Sequence, residues 1–92
     1  MTHNLIISYD LNRPGQTYSE VEARIRELGS AIKLLETVWF VSTQYSATVA
    51  RDHIRQSTDK NDSVIVIDAK RNDYGVYLGE KERAFLSKHW NH

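Results

Sequence analysis

Three stretches of the chain are apolar at almost every position and are bounded by polar or turn-forming residues. They are Asn4–Tyr9 (NLIISY), Val38–Thr43 (VWFVST) and Ser63–Ala69 (SVIVIDA). Short apolar runs rich in β-branched residues predict core strands rather than buried helices. In the first run Leu5, Ile7 and Tyr9 fall on one side of a pleated strand, and Ile6, Ser8 and Asp10 on the other. Ala31–Ser42 is too long for one ordinary strand, and Lys33 and Glu36 interrupt it. It divides into Ile32–Leu35, a bend near Glu36 and Val38–Thr43. The result is a hairpin without an Asn-Gly or paired-glycine turn, and one bent strand is the other reading.

Between the strands the apolar spacing becomes helical. Tyr18, Val21, Ile25 and Leu28 form one stripe, predicting a helix over Tyr18–Leu28. Thr17 stands three residues before Glu20, as in a capping box, and Gly29 supplies a stop. Ser46 is placed to cap a second helix with Ala47, Val49, Ala50, His53 and Ile54 inward. The order is then strand, helix, strand, strand, helix, strand. That predicts an α+β fold of the ferredoxin-like βαββαβ kind, an antiparallel sheet with both helices on one face. Two helices cover one face only, yet the strands are apolar on both. The second face needs a cover: a twin subunit, the segment Lys70–His92, or both. In that segment Tyr74, Val76 and Leu78 alternate and predict an extra edge strand. Glu80–Trp90 predicts a last helix whose acidic start and Lys88/His89 end suit the helix dipole.

Ninety-two residues predict a single domain over 1–92, with a core of about residues 4–69 and an extension over 70–92. A chain this size buries only roughly 60–65% of its unfolded surface, so a homodimer would add stability. The chain has no cysteine, which excludes disulfides and zinc-thiolate sites and fits a reducing, cytoplasmic setting. No leader pattern opens it, and no apolar run approaches a membrane span of about 20 residues. The formal net charge is zero, which argues against a strong sequence-blind nucleic-acid clamp but leaves room for a local basic face.

Asp10 is the first candidate for chemistry, because it leaves the core at the C-terminal end of a buried strand, where α/β sheets often place functional groups. The other reading of Asp10 is a strand-end residue that hydrogen-bonds its own turn. One carboxylate does not make a magnesium site, since Mg²⁺ takes near-octahedral oxygen ligands. Two Asp10 side chains gathered by a two-fold axis would clamp one ion. Arg13, Lys70 and Arg71 are the candidate phosphate contacts, whereas Arg51 and Arg55 flank Asp52 and read as a solvated face. His3, His53, His89 and His92 are scattered and make no metal signature. Tyr9 and Trp39 sit among aliphatics and read as core. YGVYLG around Gly75 and Gly79 lacks the phosphate-loop pattern.

The stretch Leu5–Gln16 with Tyr18, the Leu28-Gly29 pair, ETVWFVST, Ser46-Ala47, and Asp59 and Asp62 before VIVID resembles the small SinR-like bacterial proteins. Those in turn are similar to the CRISPR-associated protein 2 family. The resemblance covers about residues 4–69 and is most specific over YDLNRPGQ and Tyr18. It implies a ferredoxin-like homodimer in which Asp10 is both the catalytic residue and the ligand of Mg²⁺ or Mn²⁺. The implied activity is endonucleolytic cleavage of DNA or RNA in antiviral defence, or a structural role in an integration complex. Thr37 and Trp39 fall near that family's strand Ser and Phe. Pro14-Gly15-Gln16 replaces its arginine-rich helix entry. The alternative expectation is a non-catalytic dimerisation or adaptor module of the same fold.

Overall fold

The computed structural model describes residues 2–12 and 18–92. The expectations for Arg13, for the Pro14-Gly15 turn and for Thr17 as a cap lie outside the described residues. Four strands form one antiparallel sheet: β1 (His3–Asp10), β2 (Ser30–Leu35), β3 (Val38–Thr43) and β4 (Ser63–Asp68), in the order β2-β3-β1-β4. Three helices accompany it: α1 (Tyr18–Arg26), α2 (Ala47–Arg55) and α3 (Glu80–His89). The architecture is α+β. β2 and β3 form the hairpin rather than one bent strand, with a register shift between Lys33 and Leu35.

Pairing places the two alternating sets of β1 in different surroundings. Leu5, Ile7 and Tyr9 pack with Trp39 and Val41 of β3 beneath Val21 and Ile25 of α1 and Ala50 and Ile54 of α2. Both helices therefore lie on this face, each burying the narrow stripe its spacing allows. Ser46 caps α2 by accepting a hydrogen bond at Oγ from the Val49 N–H, at 3.2 Å. Val49 itself lies about half exposed rather than inward. After α1 the chain passes close against β3. A methyl group at Gly29 would overlap the carbonyl oxygen of Ser42, so this turn tolerates only hydrogen there. Thr43 Oγ1 donates to the Leu28 carbonyl at 2.6 Å and accepts from the Tyr45 N–H at 3.1 Å, fastening the same corner.

The opposite face is covered by the chain's own C-terminal segment, but only in part. Ile32 and Phe40 pack with Leu86 and Trp90, and Ile6, Leu34, Ala69, Tyr74, Leu78 and Phe85 gather around them. Trp90 stacks on Phe40 with centroids 5.4 Å apart, lies 4.7 Å from Tyr74, and donates Nε1–H to the Asn72 carbonyl at 2.8 Å. The expected strand over Tyr74–Leu78 does not form: the segment joins no ladder. Tyr74 and Leu78 pack on the sheet face with Leu86 and Trp90, whereas Val76 stays 40% exposed.

A polar lock closes the segment. Asn4, fully buried on β1, donates Nδ2–H to the Asn91 carbonyl at 2.8 Å. Its Oδ1 accepts from the Asn91 backbone N–H at 2.9 Å and from Asn91 Nδ2 at 2.7 Å. Asn91 Nδ2 also donates to Ser42 Oγ at 3.1 Å. A buried amide would be costly without such partners, so the tail and the strand need each other.

Candidate functional site

The part of this second face that the tail leaves uncovered belongs to β4 and to the Ser8–Asp10 end of β1. Ser8 lies opposite Ile65, Ile6 opposite Ile67, and Asp10 opposite Ser63. Because paired residues share a face, Ser8, Asp10, Ser63, Ile65 and Ile67 form one strip. Ile65 is 59% exposed and Ile67 57%, which is unusual for isoleucines in a regular strand. A shallow depression of about 100 Å³ sits at its upper end, lined by Ser8, Tyr9, Asp10, Ser63 and Ile65.

Asp10 is exposed, and among the described residues its carboxylate makes no hydrogen bond or ion pair. The turn-capping role is thus not seen there. The neighbouring acid that does secure a turn is Asp62. Its Oδ1 accepts from the Asn12 N–H at 2.9 Å and its Oδ2 from the Asp59 N–H at 2.7 Å. Asn12 Nδ2 adds a bond to the Asn61 carbonyl at 2.8 Å. These contacts tie the end of β1 to the start of β4 and fix where Asp10 stands. Asp62 is buried with both oxygens engaged, so it is a structural acid.

Among the described residues no three of His, Cys, Asp or Glu gather as a metal-binding group. Asp10 with the hydroxyls of Ser8 and Ser63 is a poor match to Mg²⁺, which seeks charged oxygen ligands in near-octahedral array. One chain alone does not fit the ion.

Lys70 and Arg71 follow β4 at the other end of the β1–β4 pair, where the Ala69 N–H donates to the Asn4 carbonyl at 2.8 Å. Asp10 is opposite Ser63, so about six residues of strand, or about 20 Å, separate them from Asp10 within a chain. The fold therefore does not bring the acidic and basic candidates together. Both basic residues are exposed. Arg71 has φ of 58°, in the left-handed region, inside a turn closed by the Asn72 N–H on the Ala69 carbonyl at 3.0 Å. A side chain other than glycine or asparagine seldom holds that conformation.

Other polar groups are paired on the helical side. His3 Nδ1 lies 2.6 Å from Asp68 Oδ2. His53 Nε2 lies 2.7 Å from Glu27 Oε1, beside a depression of about 150 Å³ that Tyr45 and Val49 also line. Lys33 Nζ reaches Glu22 at 2.7 Å, a hydrogen bond that raises the lysine above its ordinary pKa. Tyr9 and Trp39 are core residues, as expected. Burial raises the Tyr9 hydroxyl above its ordinary pKa; the Trp39 indole opposes this, although neither polar atom closes a bond of good geometry. Arg51 pairs with Asp52, and Arg55 donates to Thr58 and to the Asp59 carbonyl, so both belong to the solvated face of α2.

Sequence reasoning placed Asp10 but missed the exposure of Ile65 and Ile67 and the Asn4–Asn91 lock. A buried strand opening on asparagine was the available signal for the lock. No described helix is long and apolar enough to cross a membrane. Comparison with protein-family models, with curated proteins and with solved structures finds no match for the chain.

Proposed function

We propose that this chain is a dimerising module of ferredoxin-like type that serves as a non-catalytic adaptor in a nucleic-acid-handling or defence assembly. The strand order, taken from the other edge as β4-β1-β3-β2, and the two helices on one face support the ferredoxin-like reading. The observation that carries dimerisation is the strip of Ile65 and Ile67, more than half exposed on an edge strand and left bare by a tail that buries Ile32 and Phe40 on the same face. Exposed apolar surface on an edge strand is a pairing site unless something blocks it. Against catalysis within one chain stands the solitary carboxylate of Asp10. Contacts to DNA or RNA would fall to Lys70, Arg71 and Arg13.

A second reading, an endonuclease similar to CRISPR-associated protein 2, is favoured by one feature: Asp10 is solvent-facing and unpaired at a strand end. It would depend on Mg²⁺ or Mn²⁺ and on a second Asp10 contributed by a partner copy. Incubation of DNA and RNA substrates with Mg²⁺ or Mn²⁺, comparing wild type with Asp10→Asn, separates the two. No cleavage by a folded dimer supports the adaptor. Cleavage lost on Asp10→Asn supports the nuclease and sinks the adaptor.

A further inference from the structure

The β4 edge carries the features of a self-pairing strand. Its segment Ser63–Ile67 contains no charge and no proline, and its pairing with β1 runs without a bulge. Native edges normally carry at least one of these blocks. Ala69 and Asn4 form a hydrogen-bonded pair, and bonded pairs alternate along an antiparallel ladder. The backbone groups of Ser63, Ile65 and Ile67 therefore turn toward β1, and those of Val64, Val66 and Asp68 turn outward, available to a new strand.

The geometry points to a second copy of this chain as the occupant of that edge. Two β4 strands pair antiparallel about a two-fold axis through Val66, so that Lys70 and Arg71 of each copy stand beside Asp10 of the other. This inference rests on the dimerising reading above and supplies its geometry.

The register follows from the alternation. Facing residues must share a face, so a two-fold pairing must match odd positions with odd and even with even. Centring on Val66 sets Ile65 opposite the partner's Ile67, and Ile67 opposite the partner's Ile65. Centring on Ile65 instead leaves each Ile67 facing a serine. The Val66 register thus matches all four exposed isoleucines.

Charge complementarity selects the same arrangement independently. In this register Ser63 faces the partner's Ala69, one residue before its Lys70. Asp10 lies opposite Ser63, so the Asp10 backbone comes within about 10 Å, two strand spacings, of that basic turn. Lysine and arginine side chains span such a gap. The acidic and basic ends of the β1–β4 pair, about 20 Å apart in one chain, thereby meet twice across the axis. The unusual φ of Arg71 gains a purpose, holding the guanidinium at the outer corner of β4. The two Asp10 residues, by contrast, end more than about 20 Å apart, too far to share an ion.

One six-residue edge buries less than the standard interface of about 800 Å² per partner, so the dimer is of modest affinity. Its test is sedimentation velocity from about 1 µM to about 1 mM, the range in which small interfaces associate. The wild type is expected to dimerise, and Ile67→Lys to remain monomeric with unchanged far-ultraviolet dichroism. Because each substitution counts twice in a symmetric dimer, Lys70→Glu with Arg71→Glu should raise the dissociation constant by about tenfold, and added Asp10→Lys should recover it.

The absence of native cysteine makes cross-linking clean. A mixture of Ile65→Cys and Ile67→Cys chains should form a disulfide-linked dimer under mild oxidation, while neither variant alone does, because only facing pairs come within about 7 Å. A wild type that stays monomeric at the highest concentration overturns both this inference and the dimerising reading. A dimer that survives Ile67→Lys, or that cross-links through Ile65→Cys alone, overturns only the proposed edge register.

Discussion

One face of the sheet has two halves made of the same kind of strand, and they meet different fates. On the β2–β3 half, Ile32 and Phe40 are buried beneath Leu86 and Trp90. On the β1–β4 half, Ile65 and Ile67 stand in solvent. Hydrophobicity does not distinguish them, since isoleucine lies on both sides. The difference is a polar lock and three aromatic rings. Asn4 and Asn91 set where the tail ends, and Phe40, Tyr74 and Trp90 set where it lies flat. The tail supplies one irregular pass and one helix, which cover β2, β3 and the Asn4–Ile6 end of β1 but not β4. Burial is thus assigned by the reach of the covering segment, and what it does not reach, Ile65 and Ile67, stays in solvent.

The contrast can be broken most severely at Trp90. Trp90→Ala removes the stack on Phe40, the contact with Tyr74 and the bond to Asn72, and should cost about 3–5 kcal/mol in urea unfolding. The β2–β3 half would then be as exposed as its neighbour, and dye binding to apolar surface should rise. Asn4→Ala leaves the Asn91 backbone N–H and carbonyl without their partners in a part-buried site; a loss of about 1–3 kcal/mol is expected. Hydrogen exchange should show that loss concentrated in α3, and uniform protection across the chain would refute the lock.

Smaller effects sharpen the comparison. Ile65→Thr and Ile67→Thr should alter the monomer's unfolding free energy by no more than about 0.5 kcal/mol, as expected for exposed sites away from the core. Equivalent polar changes at Ile32 or Phe40 should cost several times more. Arg71→Gly relieves a left-handed backbone by about 1–2 kcal/mol but loosens the unfolded chain by about 0.4–1 kcal/mol, so the monomer should gain no more than about 1 kcal/mol. A loss of stability there would mean the Arg71 side chain has a structural duty within its own chain.

The smallest expected effect is on pH dependence. Burial raises Tyr9, and the hydrogen bond with Glu22 raises Lys33. Both groups hold their protons longer when folded. Their contribution is complete below the ordinary values of 10.0 and 10.5 and is lost as pH rises beyond them. Stability should therefore decline as pH rises past about 10, and Tyr9→Phe should flatten part of that slope. An unchanged slope in Tyr9→Phe would remove the tyrosine as a cause.

The sequence by itself determined the four strands that pair, the helices and their order, because each rests on a local pattern. Short apolar runs rich in β-branched residues mark β1, β3 and β4, and helical spacing marks α1 through Val21 and Ile25. Ser46 at the head of α2 and the acidic start of α3 were likewise visible as chemistry of neighbouring residues. It also placed Asp10 at a strand end. Only the tertiary structure decided what Tyr74–Leu78 does, since alternation suits an edge strand and a segment lying across a face equally well. Only it decided that Asn4 finds Asn91, that Ile67 finds nothing, and that Asp10 and Arg71 stand at opposite ends of one strand pair. Those outcomes depend on which distant segment packs on a given surface and how far it reaches, and no local pattern encodes that.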